Sequence, residues 1–347
     1  MATQFELIRQ AADAYLASGK ADRTISAKQV WDVLSDAGGD NAPIIISLRT
    51  SIDYERAHVC EATNVPWGPD FIDEWYSRNI PLSRQVILYC YNGHIAGAAA
   101  ALLNLLGYDA VNMQWGYTSW MWCKQKAPGE FVSAKGRGLA MNYPVETSVN
   151  TSDKTYPFPE VNNNVSGNGR EIIKVAAAGW CRSKVLAPKF DEGPQYRTDY
   201  PFITPKSLFA WLHNEDPDDQ PLVLSVRSPQ QYAAGHIKGS INIPLAQLSR
   251  KESLSKLPTD RTIVVVSNDG MSGSQAMAIL NIMGYDARNL LFGMTGWTEN
   301  DSVAPGRFIR YHPGTHDYKD IMDYAFCTGS DPGSYFKPTF QQCMDSF

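Results

Sequence analysis

Nothing in this chain of 347 residues has the length of a membrane span, since no apolar stretch approaches the ~20 residues needed to cross a bilayer. The longest candidate, Ala98 to Leu106, is interrupted by Asn104 and closed by Gly107. Basic runs are missing as well. With a formal net charge of −5, the chain lacks the electrostatic footprint of a nucleic-acid binder, and nothing in it would hold an anionic membrane surface. Cysteine is scarce: Cys60, Cys90, Cys123, Cys181, Cys327 and Cys343 contain no C-x-x-C pair and no Cys/His pattern at zinc spacing. No metal and no cofactor is therefore expected.

The beginning of the chain, Met1 to Glu6, has neither a basic start nor an apolar core of the signal-peptide kind. Two localisations follow: a cytoplasmic protein, or a mature periplasmic or secreted one without its leader. The cysteines leave the choice open. Cys327 and Cys343 flank a polar, Gly/Pro-rich tail, where a disulfide would suit an oxidising compartment. Cys123 with Cys181 is the other pairing to consider, and free structural thiols are the alternative for both.

What the chain does have is enough apolar sequence, 44%, for more than one core, and its length suggests two domains. An amphipathic helix is expected over 4–18, with Phe5, Ile8, Ala11, Ala12, Tyr15 and Leu16 on one side. Ser26 is placed to cap a second helix, and Thr204-Pro205 opens its later counterpart. The most informative stretch runs from Val86 to Gly107. A short apolar run ends at Cys90, a tight loop with Gly93 follows, and Ile95, Ala99, Leu102, Leu103 and Leu106 then recur at helical spacing. Read as strand, loop and helix, it sets one thiol beside a helix N-terminus, where unpaired amides and the positive end of the dipole gather. That is a site for an anion or a thiolate.

The chain also repeats itself. Ile44-Ile45-Ile46-Ser47-Leu48-Arg49-Thr50 matches Leu222-Val223-Leu224-Ser225-Val226-Arg227-Ser228 at an offset of 178 residues. His58 falls on His236 and Pro66 on Pro244. At an offset of 177, Val86 to Cys90 lies over Ile263 to Ser267, Gly93 over Gly270, Gly116 over Gly293 and Trp120 over Trp297. Each copy alternates buried-type strands with helical segments, so each is expected to be a small α/β domain with a mostly parallel sheet. The expected division is an N-terminal helix (1–20), a first domain (21–123), a long connecting segment (124–198), a second domain (199–300) and an extension (301–347). The connection is too long for an ordinary loop. Its Phe131, Tyr143, Tyr156, Phe158 and Trp180 suggest that it wraps over the domains, with one β-like piece at Glu171 to Ala177.

Both copies resemble the rhodanese (sulfurtransferase) domain. The resemblance rests on Ser225 to Pro244 with its Gly235-His236-Ile237, on the strand–Cys90–loop–helix unit, and on the closing Gly-Tyr-Asp…Gly…Trp pattern of each copy. It implies a reactive cysteine opening a six-residue loop, Cys90-Tyr91-Asn92-Gly93-His94-Ile95. The amides from Tyr91 to Ala96 would hold a thiosulfate-like anion or a persulfide. A thiol so placed is expected to have a lowered pKa.

In the second copy the loop is Ser267-Asn268-Asp269-Gly270-Met271-Ser272. A serine without a base carries no persulfide, and Asp269 would repel an anionic donor. The second domain is therefore expected to be inactive and to cover the first loop. Ser47 and Ser225 stand where the family usually has aspartate. Arg49 is expected to brace the loop, form an ion pair or touch substrate, and His58 and His236 to be packing residues. His94 is expected either to supply charge or a proton to the donor or to be an exposed loop residue. Alanine at 96 removes the arginine clamp of related loop phosphatases. Trp115 is expected in a cleft wall.

The function implied is sulfur transfer from thiosulfate or a related donor to cyanide or a thiol through a Cys90 persulfide. The alternative is a non-catalytic or sulfur-carrying module acting with a redox or sulfur-accepting protein partner. Neither reading involves nucleic acid or a transmembrane segment.

Overall fold

The computed structural model describes residues 2–36, 42–121, 141–183, 201–306 and 327–329. Phe131, Cys123 and Cys343 lie outside the described residues. Two five-stranded sheets, all parallel, form the frame. The first comprises β1 (Thr24–Ile25), β2 (Ile44–Ser47), β3 (Thr63–Asn64), β4 (Gln85–Tyr89) and β5 (Asp109–Met113), in the order β1-β5-β4-β2-β3. The second comprises β6 (Phe202–Ile203), β7 (Leu222–Ser225), β8 (Ile241–Asn242), β9 (Ile263–Val266) and β10 (Ala287–Leu290), in the order β6-β10-β9-β7-β8. The repeat in sequence is thus a repeat in topology. Runs such as Ile263-Val264-Val265-Val266 are buried along their whole length, as central parallel strands covered on both faces must be.

The alternation of side chains along each central strand decides which way it faces. In β4, Ile87 and Tyr89 enter an outer core of the first domain with Tyr54, Val111 and Trp120. Val86, Leu88 and, one residue past the strand, Cys90 point the other way. They enter a core shared with Val265, Ala276 and Leu280 of the second domain. The two helices that follow the central strands, His94–Leu105 and Met271–Ile282, belong to this shared core. Their small residues let them approach: a Cβ on Gly97 would lie 2.8 Å from the Met271 carbonyl oxygen. The domains therefore meet face to face on the side that carries Cys90.

The N-terminal helix, Gln4–Ala17, forms as expected, capped by Thr3, with Phe5, Ile8, Ala12, Tyr15 and Leu16 buried. The piece expected as β-like at Glu171 to Ala177 is instead helix Gly169–Ser183. Its β-branched Ile172, Ile173 and Val175 suggested a strand. Yet Ile172, Ile173, Ala176, Ala177, Trp180 and Cys181 recur at helical spacing and are buried, and packing overrides propensity. Trp180 meets Trp67 edge-on at 5.8 Å, and Phe158 stacks on Phe5 at 5.2 Å.

Two segments outside the repeats cap equivalent places in the two domains. Glu146 pairs antiparallel with His236, and Cys327 pairs antiparallel with His58. Cys327 also forms a disulfide with Cys60. Both readings left open for Cys327, a bond to Cys343 and a free thiol, are thereby overturned. The partner of Cys327 comes from the first domain, 267 residues away, because the extension returns to the first domain. Cys181 is a free, buried thiol. No helix among the described residues is long and apolar enough to cross a membrane.

Candidate active site

Cys90 stands directly after β4, where the chain turns sharply to start helix His94–Leu105. Gly93 makes the turn with φ +90°, a conformation that suits glycine. The loop is held from behind. Tyr117 N–H donates to the Cys90 carbonyl (2.9 Å) and Thr118 N–H to that of Tyr91 (3.0 Å). Gly116 sits so close that a Cβ there would be 2.6 Å from the Cys90 oxygen. Trp115 is buried and takes a left-handed conformation, φ +59°, at the start of helix Gly116–Trp120. It is a backing residue of the loop rather than the exposed wall of a cleft.

Around the sulfur, Gly93 N–H donates to Cys90 Sγ at 3.2 Å. The thiol was expected to be acidified. Here burial dominates and pushes the Cys90 thiol up, while the amides of Ala96, Asn92, Gly93 and Ile95 pull it down. The cover by the second domain was expected, but not how completely it dries the loop, and closure removes the water that would favour a thiolate. Cys90 is 1% exposed.

The predicted site residues divide in two. Tyr91, Asn92, Gly93, His94, Ile95 and Ala96 are brought together in the loop and the first turn of the helix. Tyr91 turns its hydroxyl outward to the Asp53 carboxylate at 2.5 Å. Arg49 is fully buried and directs its guanidinium to backbone carbonyls, Ala57 at 2.6 Å and Asp53 at 3.0 Å. It lies over the Tyr117 ring at 4.1 Å, and so ties the loop's backing to the segment that carries His58. Arg227 repeats this with Gly235 at 2.8 Å and with Val303. His58 stacks on Tyr54 at 3.8 Å and His236 on Tyr232 at 3.6 Å, each with Nδ1 2.8 Å from that tyrosine's carbonyl oxygen.

His94 differs from both expectations. It is 1% exposed and enters the second domain, where Phe292 N–H donates to Nε2 at 3.1 Å. The Asp269 carbonyl oxygen is 3.2 Å from the same nitrogen. Burial pulls its pKa down to about 4, so the imidazole is neutral at pH 7. The second loop is built like the first. Gly270 N–H donates to Ser267 Oγ at 2.8 Å, Met294 N–H to the Ser267 carbonyl at 2.9 Å and Thr295 N–H to that of Asn268 at 2.9 Å. Asp269 differs chemically: burial raises its carboxyl to about 6.

Two parallel α/β domains of one topology each carry an amide-lined loop after the central strand, headed by a cysteine in the first and by a serine in the second. A family model described as the rhodanese-like domain matches residues 26–122 and 205–300, and the chain belongs to that family of sulfurtransferase-like proteins. Among curated proteins it is 34% identical over 98 residues to the probable adenylyltransferase/sulfurtransferase MoeZ of Mycobacterium tuberculosis, covering 28% of this chain and 24% of that one. It is 37% identical over 62 residues to the thiosulfate sulfurtransferase PspE of Escherichia coli, covering 18% of this chain and 60% of that one. The chain thus spans about a quarter of the former relative's length. The solved thiosulfate sulfurtransferase of Pseudomonas aeruginosa is 15% identical with a TM-score of 0.28, covering 93% of this chain and 50% of that chain.

Proposed function

We propose that the protein transfers sulfane sulfur from thiosulfate or a related anionic donor to cyanide or a thiol, with Cys90 as the carrier. The observation that supports this is the ring of backbone N–H groups from Asn92, Gly93, Ile95 and Ala96 around the Cys90 sulfur. As a thiolate, Cys90 attacks the outer sulfur of thiosulfate. The bond between the two donor sulfurs breaks and sulfite leaves with the electron pair. Cys90 keeps the outer sulfur as a persulfide anion, whose charge the amides and the helix N-terminus can hold. The acceptor then attacks the terminal sulfur and the Cys90 thiolate is released, a ping-pong sequence.

Thiosulfate treatment followed by intact-mass measurement is the direct test. A gain of one sulfur on Cys90, lost in Cys90→Ser, is the expected result; a variant that transfers sulfur undiminished would overturn the proposal. A second reading, a sulfur carrier that acts with a redox or sulfur-accepting protein, draws on the buried, upward-shifted thiol and on Ser267. Failure of Cys90 to react with iodoacetamide at neutral pH would favour it. The Cys60–Cys327 disulfide favours an oxidising compartment, periplasmic or extracellular, over the cytoplasm. Recovery of both cysteines as free thiols from the native source would reverse that.

A further inference from the structure

The two loops exchange a residue. Each central helix begins with a side chain that enters the opposite domain, and the two positions are equivalent in the repeat: His94 in the first, Met271 in the second. His94 occupies the notch between Gly270 and the Phe292 amide. A Cβ on Gly270 would lie 2.5 Å from His94 Nε2 and 2.9 Å from the Phe292 nitrogen. Met271 occupies the matching notch between Gly93 and the Trp115 amide. A Cβ on Gly93 would lie 3.0 Å from Met271 Sδ and 3.3 Å from the Trp115 nitrogen. Met271 is 1% exposed. Gly270 therefore has a use that involves no chemistry in its own loop: only glycine leaves room for the imidazole.

We infer that the second domain has been kept as a brace for the Cys90 loop, with Met271 as a positioning residue that fixes Gly93 from behind and His94 as the anchor that holds the brace in register. The inference rests on the reading of Cys90 as the sulfur-carrying residue. Gly93 is the turn from which the amides around the sulfur fan out, and Gly93 N–H itself donates to Sγ. A side chain wedged beneath it sets where those donors aim. Misaimed donors cost most in the charged states of the reaction, so the effect belongs in kcat more than in KM. A thioether suits the task because it fills an irregular gap without a polar atom that needs a partner.

The test uses the full chain with Met271→Ala, Met271→Leu, His94→Ala and His94→Gln. Amide hydrogen exchange over residues 90–97 is followed by mass spectrometry, alongside steady-state transfer from thiosulfate to cyanide. In Met271→Ala, exchange in the loop is expected to quicken about tenfold while that of strand Ile263–Val266 stays as in wild type. There kcat is expected to fall roughly ten- to hundredfold with little change in KM. Met271→Leu restores both. His94→Ala behaves like Met271→Ala, and His94→Gln, which keeps an acceptor for the Phe292 amide, recovers part of the loss. Unchanged loop exchange in Met271→Ala overturns the inference. So does a Leu variant as defective as the Ala variant, with exchange rising in Ile263–Val266 as well. A wild-type protein that gains no sulfur from thiosulfate overturns the sulfurtransferase reading alone, and the exchange data still decide the brace.

Discussion

The loop at Cys90 and the loop at Ser267 share a backbone and differ in chemistry. Both turn through a left-handed glycine, Gly93 and Gly270, and both rest on a second, Gly116 and Gly293. The same pair of amides caps each from behind. What separates them is one sulfur, one carboxylate and the residue each sends across the seam. The same scaffold stands with a serine in the place of the cysteine. The geometry of such a loop has a second use, as a socket, and a socket needs the same glycines as a catalyst. Backbone likeness therefore says little about activity, and side-chain chemistry decides it.

The comparison can be broken most directly by moving the sulfur. In a double variant combining Cys90→Ser with Ser267→Cys, transfer is expected to remain roughly 10³-fold below wild type, because Asp269 stands in the transplanted loop and His94 fills its notch. Persulfide on the transplanted thiol at the wild-type rate, read by intact mass, would show the loops to be interchangeable.

A second contrast lies in how the domains are capped. On the first domain the cap is covalent, Cys327 to Cys60. On the second it is hydrogen-bonded, with the Glu146 carboxylate accepting from Gly239 N–H at 2.7 Å and from Asn150 at 2.6 Å. Cys60→Ser is expected to lower stability by roughly 2–5 kcal/mol, and Glu146→Gln by about 1 kcal/mol. Urea midpoints measure both, and equal losses would remove the distinction.

The smallest effect is a pair of opposed pH slopes at the seam. His94 is held neutral by burial, with its pKa brought from 6.5 to about 4. Between those values the unfolded chain binds a proton that the folded one does not, so this group's contribution is lost as pH falls from 6.5 to 4. Asp269 runs the other way. Burial raises it from 3.8 to about 6, so the folded chain binds the extra proton and stability is lost as pH rises through that window. Asp22, also raised by burial and held by a hydrogen bond from Ser272, adds to the Asp269 shift. His94→Gln should thus gain stability relative to wild type on acidification from pH 6.5 to 4.5, and Asp269→Asn should lose it. Each change is expected to be of order 1 kcal/mol. Denaturation at the two pH values reads the slopes, and identical slopes in both variants would refute the assignment.

Much of this was legible in the residues themselves. Two copies at offsets of 178 and 177 gave the parallel architecture, and Cys90 followed by Gly93 and a helical apolar face gave the loop. What escaped depended on contacts between distant parts of the chain. The partner of Cys327 could not be deduced, since pairings are not encoded in spacing. The cover over the Cys90 loop was expected, but not that it would bury the sulfur deeply enough to raise its thiol instead of lowering it. His94 was ambiguous because an imidazole after a glycine looks the same whether it faces water or another domain. The repeat carries one signal for it: Met271 stands at the same place in the second copy, and an apolar residue there suggests that the position is covered in both. The helix at Gly169–Ser183 was hidden by two adjacent isoleucines, although its buried side chains keep a helical period.

The disulfide between Cys60 and Cys327 has a consequence for the connectivity of the molecule. It closes a covalent ring of chain that leaves the first domain, traverses the second and returns to its point of departure. The second domain is thus tethered at both of its ends. A single backbone break in the segment joining the domains would leave two fragments still linked until a reductant is added. Neither domain can drift far from the other even after such a break, so the socket stays presented to the Cys90 loop at high effective concentration, and docking between them remains an intramolecular event.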